Sequence, residues 1–152
     1  MENALKEKLL DTGNIIFDGE SYLPVFTSDI AFAKQEILIV SPFLAKSRTA
    51  SMLTALEGAM TSGVSVTAVT QPVGEHKADA QARVAQIIAT LRNKGVTVIE
   101  RADIHQKFAV IDRRTAWYGS INLLGFSKVE ESIMRFESKG IAGELMKIIP
   151  VA

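Results

Sequence analysis

The chain reads as an α/β domain built on a mixed, largely parallel β-sheet with helices on both faces. Three observations predict this. Short β-rich segments alternate with helix-length amphipathic ones along most of the sequence. The joints Ser62-Gly63-Val64-Ser65-Val66 and Lys94-Gly95-Val96-Thr97-Val98 each set a glycine between a helix and a strand, the mark of right-handed crossovers. Residues 105–119 then read as a hairpin, which adds antiparallel pairing.

Asn14 to Phe17 forms a short strand. Tyr22 to Lys34 follows with Leu23, Phe26, Ile30 and Ala33 at helical spacing, and Glu36 to Val40 is a buried strand. Ser47 to Thr61 is helical and Gly63 caps it before Val64–Val69, an alternating strand. Gln71 to Ala78, with Pro72 and Gly74, reads as an exposed loop that leaves His76 in solvent. Asp79 to Asn93 is the next helix, Val96 to Ile99 the next strand. After the hairpin, Ser120 to Lys128 curls beneath it around Leu123 and Leu124, Glu131 to Phe136 is strand-like, and a helix near Ile141 to Ile149 closes the chain. No linker or low-complexity boundary interrupts residues 1–152, which predicts a single domain.

At 152 residues the chain buries about 68–70 % of its unfolded surface, so it needs no covalent staple. With no cysteine it has neither a disulfide framework nor a thiolate metal site. Lys plus Arg equals Asp plus Glu at 17 each, so nucleic-acid binding must come from a local patch rather than a general positive coat. Candidate substrate-binding cations are Lys46, Arg48, Lys77, the Arg113-Arg114 pair and Lys128. The N-terminal Met1–Leu10 mixes charges with apolar residues and lacks a secretory core, which predicts a cytoplasmic protein. The longest apolar run, Ile37 to Leu44, is broken at Ser41-Pro42, and no membrane anchor is expected.

The chemistry concentrates in His105-Gln106-Lys107 through Gly119-Ser120-Ile121-Asn122. If the strand begins at His105, this residue and Lys107 share a face. A neutral imidazole beside an ammonium suits attack on a phosphate ester. Lys107 neutralises the non-bridging oxygens, while Ser120 and Asn122 donate hydrogen bonds to the same group. Asp112 has the opposite parity and starts the Asp112-Arg113-Arg114 turn, where a carboxylate commonly bonds its own backbone; its role, like that of Gly119, is structural. A divalent-metal site built from Glu100, Asp103 and His105 lacks the spacing to aim three ligands at one ion, so no metal or other cofactor is expected.

This spacing, H-x-K-x4-D followed by x6-G-S-x-N, resembles the signature of the phospholipase D superfamily; six fixed positions recur by chance only about once in 10^7 to 10^8 windows. The resemblance implies a phospholipase D-like fold and a hydrolase that forms a covalent phosphohistidine without a metal, from two copies of the motif. Only one copy is present, because His76 is followed directly by Lys77. The resemblance to single-motif members therefore implies a homodimer with the active site on its twofold axis, each chain supplying His105, Lys107, Ser120 and Asn122. It further implies an acidic residue after the G-S-x-N loop that steadies the nucleophilic ring, here Glu131, with Glu130 beside it facing the other way.

Trp117 to Leu124 and Glu130 to Arg135 also resemble the phospholipase D-like domain at the C-terminal end of bacterial superfamily 1 helicase-like proteins, a resemblance that implies a domain excised from such a polypeptide. The implied activity is a DNA endonuclease, with RNA left open. The alternatives are a catalytically silent DNA-binding or dimerisation module, and a phospholipid phosphodiesterase or phosphatidyltransferase.

Overall fold

The structure is a computed structural model that describes residues 14–128 and 130–149; Met1–Leu10, read above for a leader, lies outside the described residues. Among these, seven strands form one sheet. In chain order the elements are β1 (Asn14–Asp18), α1 (Tyr22–Phe32), β2 (Glu36–Val40), α2 (Lys46–Thr61), β3 (Ser65–Thr70), α3 (Gln81–Asn93), β4 (Thr97–Glu100), β5 (Phe108–Ile111), β6 (Thr115–Gly119), β7 (Ser132–Glu137) and α4 (Lys139–Ile148). The spatial order is β1-β7-β6-β5-β2-β3-β4.

The sheet is mixed and flanked by helices on both faces, as expected, but the parallel share is smaller than the sequence suggests. Only β2–β3 and β3–β4 run parallel; β2–β5, β5–β6, β6–β7 and β1–β7 are antiparallel. The physical reason is that parallel pairing needs a helical crossover, and only the connections through α2 and α3 deliver one to a neighbouring strand. Gly63 and Gly95 mark the two joints with φ of 95° and 107°, a left-handed region that glycine enters without a Cβ clash.

Side-chain alternation divides the core into two layers. Ile37, Ile39, Ala109, Ile111, Trp117 and Ile133 pack with α1, α2 and α3 on one face. Leu38, Val40, Phe108, Val110 and Ala116 pack with Ala142 and Leu145 of α4 on the other. Strand β2 is buried on both faces, which explains its unbroken Ile-Leu-Ile-Val run. Helix α4 starts at Lys139 because the hydroxyl of Ser138 accepts the Ile141 amide at 3.1 Å.

Two local expectations change. Strand β5 begins at Phe108, so His105 and Lys107 sit in the irregular lead-in and strand parity does not govern them. The 71–80 segment is not a loose exposed loop: it contains two short 3-10 turns, and both Gln71 and His76 are buried.

Candidate active site

Residues far apart in sequence meet at the end of the sheet where β5 begins and β6 ends. Hairpin register puts Phe108 opposite Tyr118, and the Gly119 amide donates to the Lys107 carbonyl at 3.3 Å, so the His105–Lys107 lead-in is tied to the G-S-x-N loop. His105 is exposed and Lys107 half-buried. The Lys107 ammonium reaches back to the His105 carbonyl at 3.1 Å, which keeps the cation beside the imidazole-bearing residue and leaves it donors for an anion.

Ser120 is gripped from both sides. Its amide and hydroxyl donate to the Ser132 carbonyl at 2.8 and 3.2 Å, and its oxygen accepts the Ser132 amide at 3.0 Å. The hydroxyl therefore fastens the loop to β7 and must give up one bond to serve a phosphate. Gly119 permits this close approach: a methyl there would collide with the Ser132 carbonyl and the Ile133 Cα. Asn122 accepts the Phe43 amide on its Oδ1 at 3.1 Å, which leaves its two N–H donors for a ligand. Glu131 is half-buried and its Oε1 accepts the Lys128 amide at 2.9 Å. Among the described residues no hydrogen bond joins it to His105; Glu130 is exposed in the adjoining turn.

Asp112 serves a different end of the hairpin. Its carboxylate accepts the amides of Lys34 and Gln35 at 2.8 Å each and of Glu36 at 3.0 Å, so it binds the α1–β2 connection and not its own turn. Partial burial raises its pKa, but the three amides and nearby Arg114 outweigh this and leave the carboxyl below its ordinary range. Arg113 and Arg114 share that distant turn, separated from Lys107 by the length of β5, on the order of 13 Å at strand rise. The structure does not bring them to His105. Sequence proximity suggested one patch, and the hairpin places its turn at the opposite end. Arg113 also pairs with Glu36.

Lys46 opens α2 at the site end, where the Ala45 amide donates to the Leu124 carbonyl at 2.9 Å. Lys77 and Lys128 are exposed. Arg48 is less free: it bonds the Tyr22 hydroxyl and lies 5.4 Å from the centre of that ring. Burial pushes the Tyr22 hydroxyl up, Arg48 and Ser127 oppose this, and the Glu131 charge adds to it. Tyr22 and Arg48 thus belong to the electrostatic surroundings of Glu131, a link invisible when each is read as core or surface. Among the described residues no group of three or more His, Asp or Glu side chains is arranged to hold a metal ion.

The family described as "Cardiolipin synthase, PLD-like domain" matches residues 26–150. The chain belongs to the phospholipase D superfamily. Solved structures repeat its fold. The phospholipase D family member Nuc from Salmonella typhimurium superposes with a TM-score of 0.66 at 21 % identity, covering 89 % of this chain and 88 % of Nuc. NucT from Helicobacter pylori gives 0.68 at 15 % identity, covering 89 % and 91 %. TrmBL2, an archaeal chromatin protein described with a novel mode of DNA binding, gives 0.60 at 12 % identity, covering 97 % of this chain and 58 % of its own. No curated protein sequence matches the chain.

In this phospholipase D-superfamily chain a set of polar side chains that the sequence does not mark as buried lies under the site. Ser41, Thr70, Gln71 and His76 are buried polar side chains at the ends of β2 and β3 and in the loop that follows. Ser41 accepts the Leu124 amide at 3.1 Å and donates to the Phe43 carbonyl at 2.8 Å; Thr70 donates to the Pro42 carbonyl at 2.9 Å. The bonds of Ser41 to Leu124, Thr70 to Pro42 and Gln71 to Ile104 join residues distant in sequence, so no spacing rule finds them. No helix among the described residues is long and apolar enough to cross a membrane.

Proposed function

We propose that the chain is a single-domain, metal-independent phosphodiesterase of the phospholipase D superfamily, acting on DNA as an endonuclease, with two copies building one active site. The carrying observation is the bond from the Gly119 amide to the Lys107 carbonyl, which holds the His105-x-Lys107 lead-in against the Ser120–Asn122 loop. An imidazole nitrogen of His105 attacks phosphorus, and His105 of a second copy, protonated, gives its proton to the departing oxygen. Water then cleaves the phosphorus–nitrogen bond, its proton passing to that second imidazole. Lys107 and the Asn122 amide offset the charge on the non-bridging oxygens, and Glu131 is the carboxylate proposed to steady the ring.

Support for a second copy comes from a bare apolar row beside the site. Ile16, Met134 and Tyr118 are cross-strand neighbours on the face that α4 only partly covers, and Ile16 and Tyr118 are 66 % and 44 % exposed. An isologous contact there would bring two hairpins together near the axis. The DNA reading draws on the likeness to TrmBL2, described with a novel mode of DNA binding, and on the exposed cations Lys46, Lys77 and Lys128. We place the domain in the service of a longer helicase-like polypeptide on the resemblance of its 117–135 segment.

The test is incubation, in excess chelator, with bis(p-nitrophenyl) phosphate, single- and double-stranded DNA, RNA and phospholipid vesicles, beside His105→Ala and Lys107→Ala. Wild type should release product in chelator, and His105→Ala should lose on the order of 10^3-fold or more. Equal release by wild type and His105→Ala would overturn the catalytic proposal. Turnover of vesicles alone would favour a phospholipid phosphodiesterase or phosphatidyltransferase, a reading that the words cardiolipin synthase in the family's description support. DNA binding without any turnover would favour the silent module that the likeness to TrmBL2 supports.

A further inference from the structure

The 71–76 segment, which a sequence reader assigns to solvent, is built as a brace. Gln71 and His76 are only 6 % and 7 % exposed. Buried polar groups of this kind are retained where each finds a partner, and here the partners converge on the candidate site from two sides. On one side the Gln71 side-chain amide donates to the carbonyl of Ile104 at 3.1 Å, the residue directly before His105. On the other, the His76 ring meets Phe43 edge-on, at 5.7 Å between centroids and 82° between planes, and the Phe43 amide is the donor that fixes Asn122.

The two halves are joined. His76 Nε2 lies 3.3 Å from the Gln71 carbonyl; a carbonyl only accepts, so this nitrogen carries the proton and the tautomer is set. The Gln71 backbone N–H in turn donates to the Pro42 carbonyl at 3.3 Å, next to Phe43. Outer bonds hold the brace in place. Gln81 of α3 donates to the His76 carbonyl at 3.1 Å, and the Glu75 carboxylate accepts the Asp103 amide at 3.2 Å.

We infer that Gln71 and His76 are positioning residues: through Ile104 and Phe43 they set the His105–Lys107 lead-in and the Asn122 amide relative to one another. This rests on the proposed function of that site. The lead-in lies outside β5 and the Gly119 amide ties it to the loop only at Lys107, so the residues before Lys107 depend on contacts such as the Gln71–Ile104 bond. A residue that merely stabilised the fold would lower the melting point and leave the turnover of folded molecules alone. A brace under the nucleophile acts on turnover, because a displacement of about 1 Å at the reacting groups costs up to about 10²-fold in rate.

The experiment compares wild type with Gln71→Leu, which removes the bond to Ile104, and His76→Phe, which keeps a ring against Phe43 but loses the N–H. Three quantities are read: kcat and KM on bis(p-nitrophenyl) phosphate, the melting point, and backbone 15N order parameters. Folded variants should lose about 10- to 100-fold in kcat with KM within roughly twofold. Order parameters at residues 104–107 should fall from about 0.85 toward 0.6, while those of the Asp112–Arg114 turn hold. Wild-type kcat and unchanged order parameters in both variants would overturn the inference. If the wild type itself shows no turnover, the proposed function fails, and the order parameters alone decide the brace.

Discussion

Asp112 belongs to the recognition motif yet touches nothing at the motif's chemical end. Its carboxylate is a knot between the β5–β6 turn and the start of β2, made of three amide donors. Charge-assisted bonds of this kind contribute about 1.5–3 kcal/mol each when dry, but the Lys34 and Gln35 donors are exposed, so Asp112→Ala should cost about 2 kcal/mol in all. The charged form is the one the amides favour, so the folded carboxyl titrates below its ordinary 3.8. Its contribution is complete above that value and disappears as pH falls through the lower folded pKa. Urea melts between pH 7 and pH 2 should show the wild type losing this increment and Asp112→Ala failing to lose it.

At this scale the motif itself was legible. The His105, Lys107, Ser120 and Asn122 positions are fixed by spacing along one stretch of chain. What spacing hides is the partner: that Asp112 reaches back to residues 34–36, that the Ser120 hydroxyl is already engaged by Ser132, and that His76 lies under Phe43. Each of these pairings spans more chain than any periodicity argument covers. Arg113 and Arg114 misled because a strand carries neighbours in sequence to opposite ends of the sheet.

Between elements, one tie across the three-helix face is ionic. Arg135 of β7 donates to Asp29 of α1 at 2.7 and 2.9 Å and to Glu137 at 3.0 Å, and the Trp117 indole of β6 donates to the same Asp29 oxygen at 2.8 Å. Burial alone would lower the Arg135 pKa, but Asp29 and Glu137 outweigh it, so the guanidinium stays charged. Removing Arg135 leaves the half-buried Asp29 carboxylate without its counter-charge. Arg135→Ala should therefore cost about 3–5 kcal/mol in a denaturant melt, while an apolar pair replacing Asp29 and Arg135 together should cost far less. A loss below about 1 kcal/mol for Arg135→Ala would show that water reaches the pair. The elements were readable from Gly63, Gly95 and the alternating strands. The direction of the pairing was not, because a strand's sequence carries its faces and not its neighbours.

For the molecule as a whole, the proposed dimer makes the Ile16–Met134–Tyr118 row the surface to perturb. Sedimentation of the wild type should report a dimer at micromolar concentration. Tyr118→Lys should shift it to monomer and abolish turnover together, because half a site lacks its proton donor. Phe32→Lys, at an exposed phenylalanine on α1, should change neither. A monomeric wild type that still turns over would remove the twofold site from consideration.

The outer edge of the sheet carries a further consequence. β1 finds its partner only in β7, with Asn14 opposite Phe136, so almost the entire polypeptide must emerge before that ladder zips. Closing so long a loop is entropically slow, whereas β2, α2 and β3 can associate as soon as they leave the ribosome. During synthesis β1 waits unpaired until β7 emerges, and a circular permutant that begins at β2 and appends β1 after α4 should gather the same sheet faster.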